Sequence, residues 1–234
     1  MEVAIQRIEE HPVAGKPLGR HIQHDPRSRD FPVRAAVDAT LSEVHHLRHG
    51  KIFDQGSVGS CTGNATAGAI NTDPIHKKRH RLLSESDAVA IYSMATTLDG
   101  SPGSYPPDDT GSSGLAAAKA AQKKGYISAY HHAFDIQQAM AALQLSPLII
   151  GVNWYEGFDH PDHATGLVAL SGRVRGGHEI EVLGFAPRST FPEGILFLDN
   201  SWGSGWGLNG GFTMTVATLT QLMSEQGDVT VLIP

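Results

Sequence analysis

The rhythm of apolar positions changes along the chain. Residues 1 to 34 are polar and interrupted by Pro12, Pro17, Pro26 and Pro32, which predicts an extended arm. The next stretch reads as helical. Residues 62 to 70 are small and free of proline, and they predict a helix starting at or beside Cys61. Its two glycines make it poor by propensity, so it depends on burial and close packing. Ser84 followed by Asp87 resembles a capping box and opens a helix to about Leu98. Residues 99 to 112, rich in Gly, Pro, Ser and Asp, predict a loop. A further helix runs from about Ser113 to Lys124 and stops at Gly125. Asp135 with Gln138 caps another, ending before Pro147.

The last third alternates with period two. Leu148 to Asn153, His178 to Phe185, Gly194 to Asn200, Gly211 to Ala217 and Val229 to Ile233 read as strands, with a short helix at Leu219 to Gln226. In His178-Glu179-Ile180-Glu181-Val182 the histidine shares a face with Ile180 and Val182. A helical half followed by a sheet half is an α+β chain. It divides into an arm (1–34), a mainly helical part (35–128) and a mainly β part (129–234), without internal repeats.

Composition narrows the function. At 234 residues the chain is long enough for a substantial core. Its 24 acidic against 18 basic residues give a net charge of −6, which argues against nucleic acid or an anionic membrane as main partner. A single cysteine leaves no internal disulfide and suits a reducing compartment. Residues 1 to 10 lack the apolar core of a signal peptide, and no apolar run approaches membrane-spanning length. A cytoplasmic or virion-associated protein is expected, with export by another route left open.

The candidate chemistry centres on that cysteine. Cys61 closes the run Asp54-Gln55-Gly56-Ser57-Val58-Gly59-Ser60-Cys61. Far along the chain stand Gly176-Gly177-His178 and Asp199-Asn200-Ser201-Trp202-Gly203-Ser204-Gly205-Trp206-Gly207. A nucleophilic cysteine acts as thiolate, so its site must lower the thiol pKa. A helix N-terminus and a neighbouring imidazolium both do so.

Cys, then His, then Asn, with a Gln shortly before the Cys, resembles the papain-like cysteine peptidases. The Asn-Ser-Trp-Gly run followed by Trp-Gly and Gly210-Gly211-Phe212 is the most specific part. His178 lies 117 residues after Cys61 and Asn200 lies 139 after it. The family spacing is about 130–150 residues, so the histidine is early. The resemblance covers roughly Asp25 to near the C-terminus. It implies a two-lobe fold, with a helical lobe carrying the Cys and an antiparallel, barrel-like β lobe carrying the His and Asn. It implies Cys61 as nucleophile and His178 as base and acid. Asn200 would orient the imidazole, and Gln55 with the Cys61 amide would hold the oxyanion. Trp202 would cover the Asn–His bond, beside the supporting Gly177. Tyr155, Phe158 and Gly111 to Gly114 are candidates for lining the cleft.

The departures also carry information. Val58 stands where the family usually has a cysteine, consistent with the lack of disulfides. Thr62 stands where an aromatic is usual, which is closer to shorter bacterial and phage-type members and puts the packing beneath the nucleophile in doubt. The arm is too short to match the family's helical pro-segment. Either the enzyme is made active or something else restrains it.

What the resemblance implies is a cysteine endopeptidase that acts on peptide or protein substrates through a thioester, needs no cofactor or metal, and is open to phage-particle or cell-wall association. Two rivals remain: a cell-wall peptide amidase using the same residues, and an inactive papain-like protein that binds a peptide or virion partner. For Cys61 the plain alternative is an inert buried thiol; for Asn200 it is a turn residue.

The 13 histidines invite a metal reading. His76 with His80, and His45, His46 and His49, form groups without cysteine or a His-Glu-x-x-His pattern. Pro74 to Arg81 reads as a solvated basic loop. His131, His132, His160 and His163 read as surface residues, with His163 near enough to the expected cleft to touch substrate.

Overall fold

The computed structural model describes residues 3, 5–33 and 41–234. The boundary expected at 34–35 lies outside the described residues. Helices α1 (Cys61–Ile70), α2 (Ile75–Arg79), α3 (Glu85–Thr96) and α4 (Gly114–Lys123) precede most of the sheet, and α5 (Ile136–Leu143) and α6 (Val216–Ser224) lie within the β part. The strands are β1 (Val44–His45), β2 (Ala129–Ala133), β3 (Leu148–Tyr155), β4 (Val174–Arg188), β5 (Phe191–Asp199), β6 (Gly211–Thr215) and β7 (Asp228–Ile233). They form one sheet in the order β2-β7-β3-β4-β5-β6, with β1 added to β4 and every pairing antiparallel.

Two apolar clusters define two lobes. One gathers Trp154, Phe158, Val182, Leu198, Phe212 and Met214 on the sheet with Leu143 and Leu219. The other gathers Ile70, Ile91, Ala117 and Ala121 from α1, α3 and α4. Helix α1 runs between them and is buried at all ten positions. This is why it has no polar face, and why it tolerates glycines that cost about 1 kcal/mol each by propensity. A Cβ on Gly63 would collide with the Ala88 carbonyl of α3. A Cβ on Gly68 would lie 2.6 Å from the Glu181 carboxylate of β4.

Caps set the helix starts as the sequence indicates. Ser84 and Asp87 form a reciprocal capping box on α3, and Ser113 and Asp135 accept from the third residues of α4 and α5. Three expectations fail. Pro74 to Arg81 is not a loop: α2 forms there and buries Ile75. Strand β6 ends at Thr215, whose hydroxyl caps α6, so that helix starts before Leu219. His132, read as a surface residue, is 7% exposed, because β2 lies between β7 and the 3-10 turn at Pro26–Asp30.

Candidate active site

Cys61 is the first residue of α1, so the unpaired amides of that helix end surround it. Ser60 makes no side-chain cap and instead donates to Asn64 Oδ1 at 2.8 Å. The backbone amides of Glu179 and Thr62 lie near enough to the thiol to favour its charged form. Since Glu179 follows His178 in β4, this proximity brings the cysteine beside the histidine's strand.

His178 sits mid-strand, with Nε2 2.8 Å from Asn200 Oδ1. Its Nδ1 has no hydrogen-bond partner among the described residues. Asn200 follows β5, and its Oδ1 also accepts from the Ser201 amide at 2.7 Å. The Trp202 ring lies 5.0 Å from the imidazole, tilted by 31°, and Trp154 meets it edge-on at 4.8 Å. This aromatic wall excludes water from the His–Asn bond. Gln55 is tied to the same segment: its amide donates to Ser201 O, and its Oε1 accepts from Ser201 Oγ at 2.6 Å. Its Nε2 donates to Val58 O at 2.8 Å. Residues 53 to 55 thus run antiparallel to 201 to 203, with Gly203 donating to Phe53 O.

The arm passes through this site. The Pro17 carbonyl accepts from Trp202 Nε1 at 3.0 Å. Gly19 and Arg20 donate to Gly177 O at 3.2 and 3.0 Å, while Gly19 O accepts from Ser112 and His21 donates back to Ser112 O. Gly19 adopts φ +135°, and a Cβ there would collide with the Gly59 carbonyl. Leu18 to Arg20 therefore fill the gap between the loop before Cys61 and the strand carrying His178. Shortness does not keep the arm out of the cleft: an extended segment needs only a few residues to cross it. Arg175 fastens the exposed bend above, donating to His11 O and Lys16 O at 3.0 Å each.

Electrostatics follow from this cover. Burial pushes the Cys61 thiol well up, Glu179 and the arm's Glu10 add to that, and the two amides oppose it. Burial lowers His178 to about 3, against the bond to Asn200. Thiol and imidazole are thus both neutral beneath the arm, which differs from the thiolate–imidazolium pair expected of an open site.

Several groups escaped the sequence reading. Asp109, within the loop 99 to 112, accepts from the Gly59 amide at 2.8 Å and from the Tyr92 hydroxyl at 2.5 Å, bracing the loop before Cys61. Glu181 of β4 holds Arg48 at 2.6 Å and Thr72 at 2.5 Å, joining α1 to the sheet. Glu179 is fully buried. The strand alternation did place both glutamates on the face opposite His178. Of the proposed lining residues, Gly111 borders the arm's groove and Ser112 pairs with the arm, whereas Phe158 is core. Tyr155 bonds Glu225, and His163 is exposed. Among the described residues no group of three or more His, Cys, Asp or Glu is arranged to hold a metal, and no helix is long and apolar enough to cross a membrane.

Comparison with known proteins bears on the fold. No family model matches the chain. An uncharacterized peptidase C1-like protein of Acanthamoeba polyphaga mimivirus is 26% identical over 205 residues. That match covers 69% of this chain but 63% of the viral protein, so the chain spans under two thirds of that relative. Xylellain, a cysteine protease from Xylella fastidiosa, superposes with a TM-score of 0.75 at 21% identity, over 96% of this chain and 98% of its own. Digestive procathepsin L 3 of Tenebrio molitor larval midgut gives 0.67 at 16% identity, over 87% and 73%. The chain has the two-lobed, α+β fold of the papain-like cysteine proteases.

Proposed function

We propose that the chain is a cysteine-type peptidase, hydrolysing peptide bonds at Cys61 from a covered, latent state. The observation that carries this reading is the placement of Cys61 at the start of α1, near the amide next to His178, whose Nε2 is fixed by Asn200 and whose Nδ1 has no hydrogen-bond partner among the described residues. With the arm displaced, His178 Nδ1 takes the thiol proton and the thiolate attacks the substrate carbonyl. The oxyanion that forms meets the Cys61 amide and Gln55 Nε2; such a donor is typically worth about 3 kcal/mol in the transition state. The amine leaves with the proton from His178. Water, deprotonated by the same nitrogen, then cleaves the thioester. Asn200 and Trp202 keep the imidazole oriented and dry, and Gly177 offers its carbonyl to the substrate backbone as it now does to the arm. The partition into arm (1–34), helical lobe (35–128) and β lobe (129–234) follows from these roles, the two lobes acting as one catalytic unit.

The test is turnover of casein and of cross-linked cell-wall stem peptides by the chain and by Cys61→Ala, with intact mass used to trap the acyl-enzyme. Cleavage of casein with a Cys61-linked acyl adduct supports the peptidase. Cleavage of stems alone moves the assignment to an amidase. No turnover after the arm is loosened means an inactive peptide-binding protein.

A further inference from the structure

The start of α1 is not held by its own cap. Ser60 stands at the cap position with φ −90° and ψ 17°, outside the extended range usual there, and its hydroxyl bonds Asn64 rather than an amide of the first turn. The chain has one cysteine, so no disulfide ties the loop before it. That loop is fixed from outside instead. At one end Gln55 is bonded to Ser201 through its amide and through its side chain. At the other, Gly59 donates its amide to Asp109 Oδ2 at 2.8 Å. A side chain at position 59 would crowd this approach: a Cβ there would lie 3.0 Å from Asp109 Oδ1 and 3.2 Å from Leu18 O.

Asp109 is itself well anchored. It belongs to the loop 99 to 112, which side chains fasten to α3 and to itself. Ser93 Oγ donates to Tyr105 O at 2.7 Å, and the Tyr105 amide donates to Thr96 Oγ1 at 3.0 Å. The Gly111 amide donates to the Tyr92 hydroxyl at 3.0 Å, and Ser112 Oγ donates to Asp99 Oδ2 at 2.8 Å. The hydroxyl of Tyr92, a fully buried residue, donates in turn to Asp109 Oδ1 at 2.5 Å. Both carboxylate oxygens are thus used, one toward α3 and one toward the nucleophile loop. The same tyrosine packs on α1, where a Cβ on Gly63 would lie 2.9 Å from Tyr92 Cβ. One buried side chain therefore meets α1 just after Cys61 and, through Asp109, holds the chain just before it.

What this arrangement fixes is the direction of donors. Gly59, Ser60 and Cys61 are consecutive, so the tie at Gly59 leaves little backbone free before the Cys61 N–H. On the other side of Gly59, Val58 O accepts from Gln55 Nε2 at 2.8 Å. The two donors assigned to the oxyanion both hang from this loop. A misplacement of about 1 Å can cost on the order of 100-fold in rate.

Building on the peptidase reading, we infer that Asp109 is a positioning residue: acting through Gly59 and buttressed by Tyr92, it aims the Cys61 amide and Gln55 at the oxyanion. It serves the transition state without touching substrate. Asp109 is exposed, so its removal opens no cavity in the core.

Kinetics are read in full chains carrying Arg20→Gln to loosen the arm, since the buried Arg20 bonds Asp228 at 2.5 Å beside Glu179. Turnover of fluorogenic peptides is compared with iodoacetamide labelling of Cys61, because alkylation forms no oxyanion. Adding Asp109→Ala should lower kcat by roughly tenfold or more, with KM and the labelling rate changed by less than about twofold. Asp109→Asn keeps one acceptor oxygen for two donors and should fall between. Equal loss of turnover and labelling means a generally disordered loop, and unchanged kcat means an idle contact; either overturns the inference and leaves the peptidase standing. Amide exchange, measured with Arg20 in place, needs no turnover. Asp109→Ala should speed exchange at Gly59 by roughly tenfold or more and leave residues 65 to 70 of α1 unmoved. If no chain cleaves peptide, the peptidase reading fails and exchange alone decides: a faster rate at Gly59 keeps Asp109 as the brace of the loop, and an unchanged rate overturns it.

Discussion

At the scale of single residues, burial sets the protonation of the two groups proposed to react. With Cys61 raised by burial and His178 lowered to about 3, neither group carries charge at neutral pH. Alkylation of the unaltered chain should therefore be slow at pH 5 to 7 and rise only above the range of an ordinary thiol, about 8.5. Gly19→Ala, which sets a Cβ against the Gly59 carbonyl, should push the arm out and make labelling at pH 6 faster by roughly tenfold or more. Intact mass against time reads both, and equal rates for the two chains would mean that the arm does not cover the thiol. The histidine gives an independent check. A His whose folded pKa is depressed resists protonation in the native state. Its ring resonances should stay those of neutral imidazole from pH 7 to about 4 in an NMR titration; a His178 signal that shifts across that range would contradict the burial.

At the scale of elements, the sequence showed most of what local rules control. Caps at Ser84, Ser113 and Asp135 were legible because each cap is a contact within one helical turn. Strands β3, β4, β5 and β7 were legible from alternation. What escaped depends on distant partners. Strand β2, Ala-Tyr-His-His-Ala, has no apolar face and exists because β7 pairs with it along five residues. Helix α2 forms around the burial of one side chain, Ile75. In the site, Cys61, His178, Asn200 and Gln55 were singled out from motifs, and the structure bonds His178 to Asn200 and Gln55 to the neighbouring Ser201. Asp109, Arg20 and Asp228 were not, since they belong to no motif and gain meaning only where the chain folds back. Helix α1 shows the cost of such context: its glycine at 63 is required by Ala88 and Tyr92 of α3. Gly63→Ala raises helix propensity yet should destabilise by about 1–3 kcal/mol through overpacking. A urea melt showing a gain in stability would mean that α1 and α3 are not in contact there.

At the scale of the whole molecule, the lobes are joined by charge as well as by packing. Arg48 reaches Glu181 at 2.6 Å and Asp199 at 3.6 Å, and Thr72 donates to the same glutamate. Burial raises Glu181 to about 7 against the pull of Arg48. Removing one member of a buried pair typically costs about 3–5 kcal/mol. Arg48→Ala should approach that at pH 8, where Glu181 is ionised in the unaltered protein, and lose less at pH 5, where the carboxyl carries a proton. Urea melts of both chains at the two pH values test the sign; a larger loss at pH 5 would contradict it.

The exposed bend of the arm, Pro12 to Gly15, is where a foreign protease would most easily cut. Both flanks of that bend remain fastened. His11 and Lys16 are gripped by the same Arg175, Gln6 pairs with Ile22, and the Arg20 side chain is sunk between two acids. A single nick would thus yield two pieces that travel together on a native column and separate only in denaturant, with the thiol still shielded. Severing the chain and switching the protein on are then separate events. The second proceeds at the pace at which the cut ends peel away, a first-order lag that adding more of the cutting protease would not shorten.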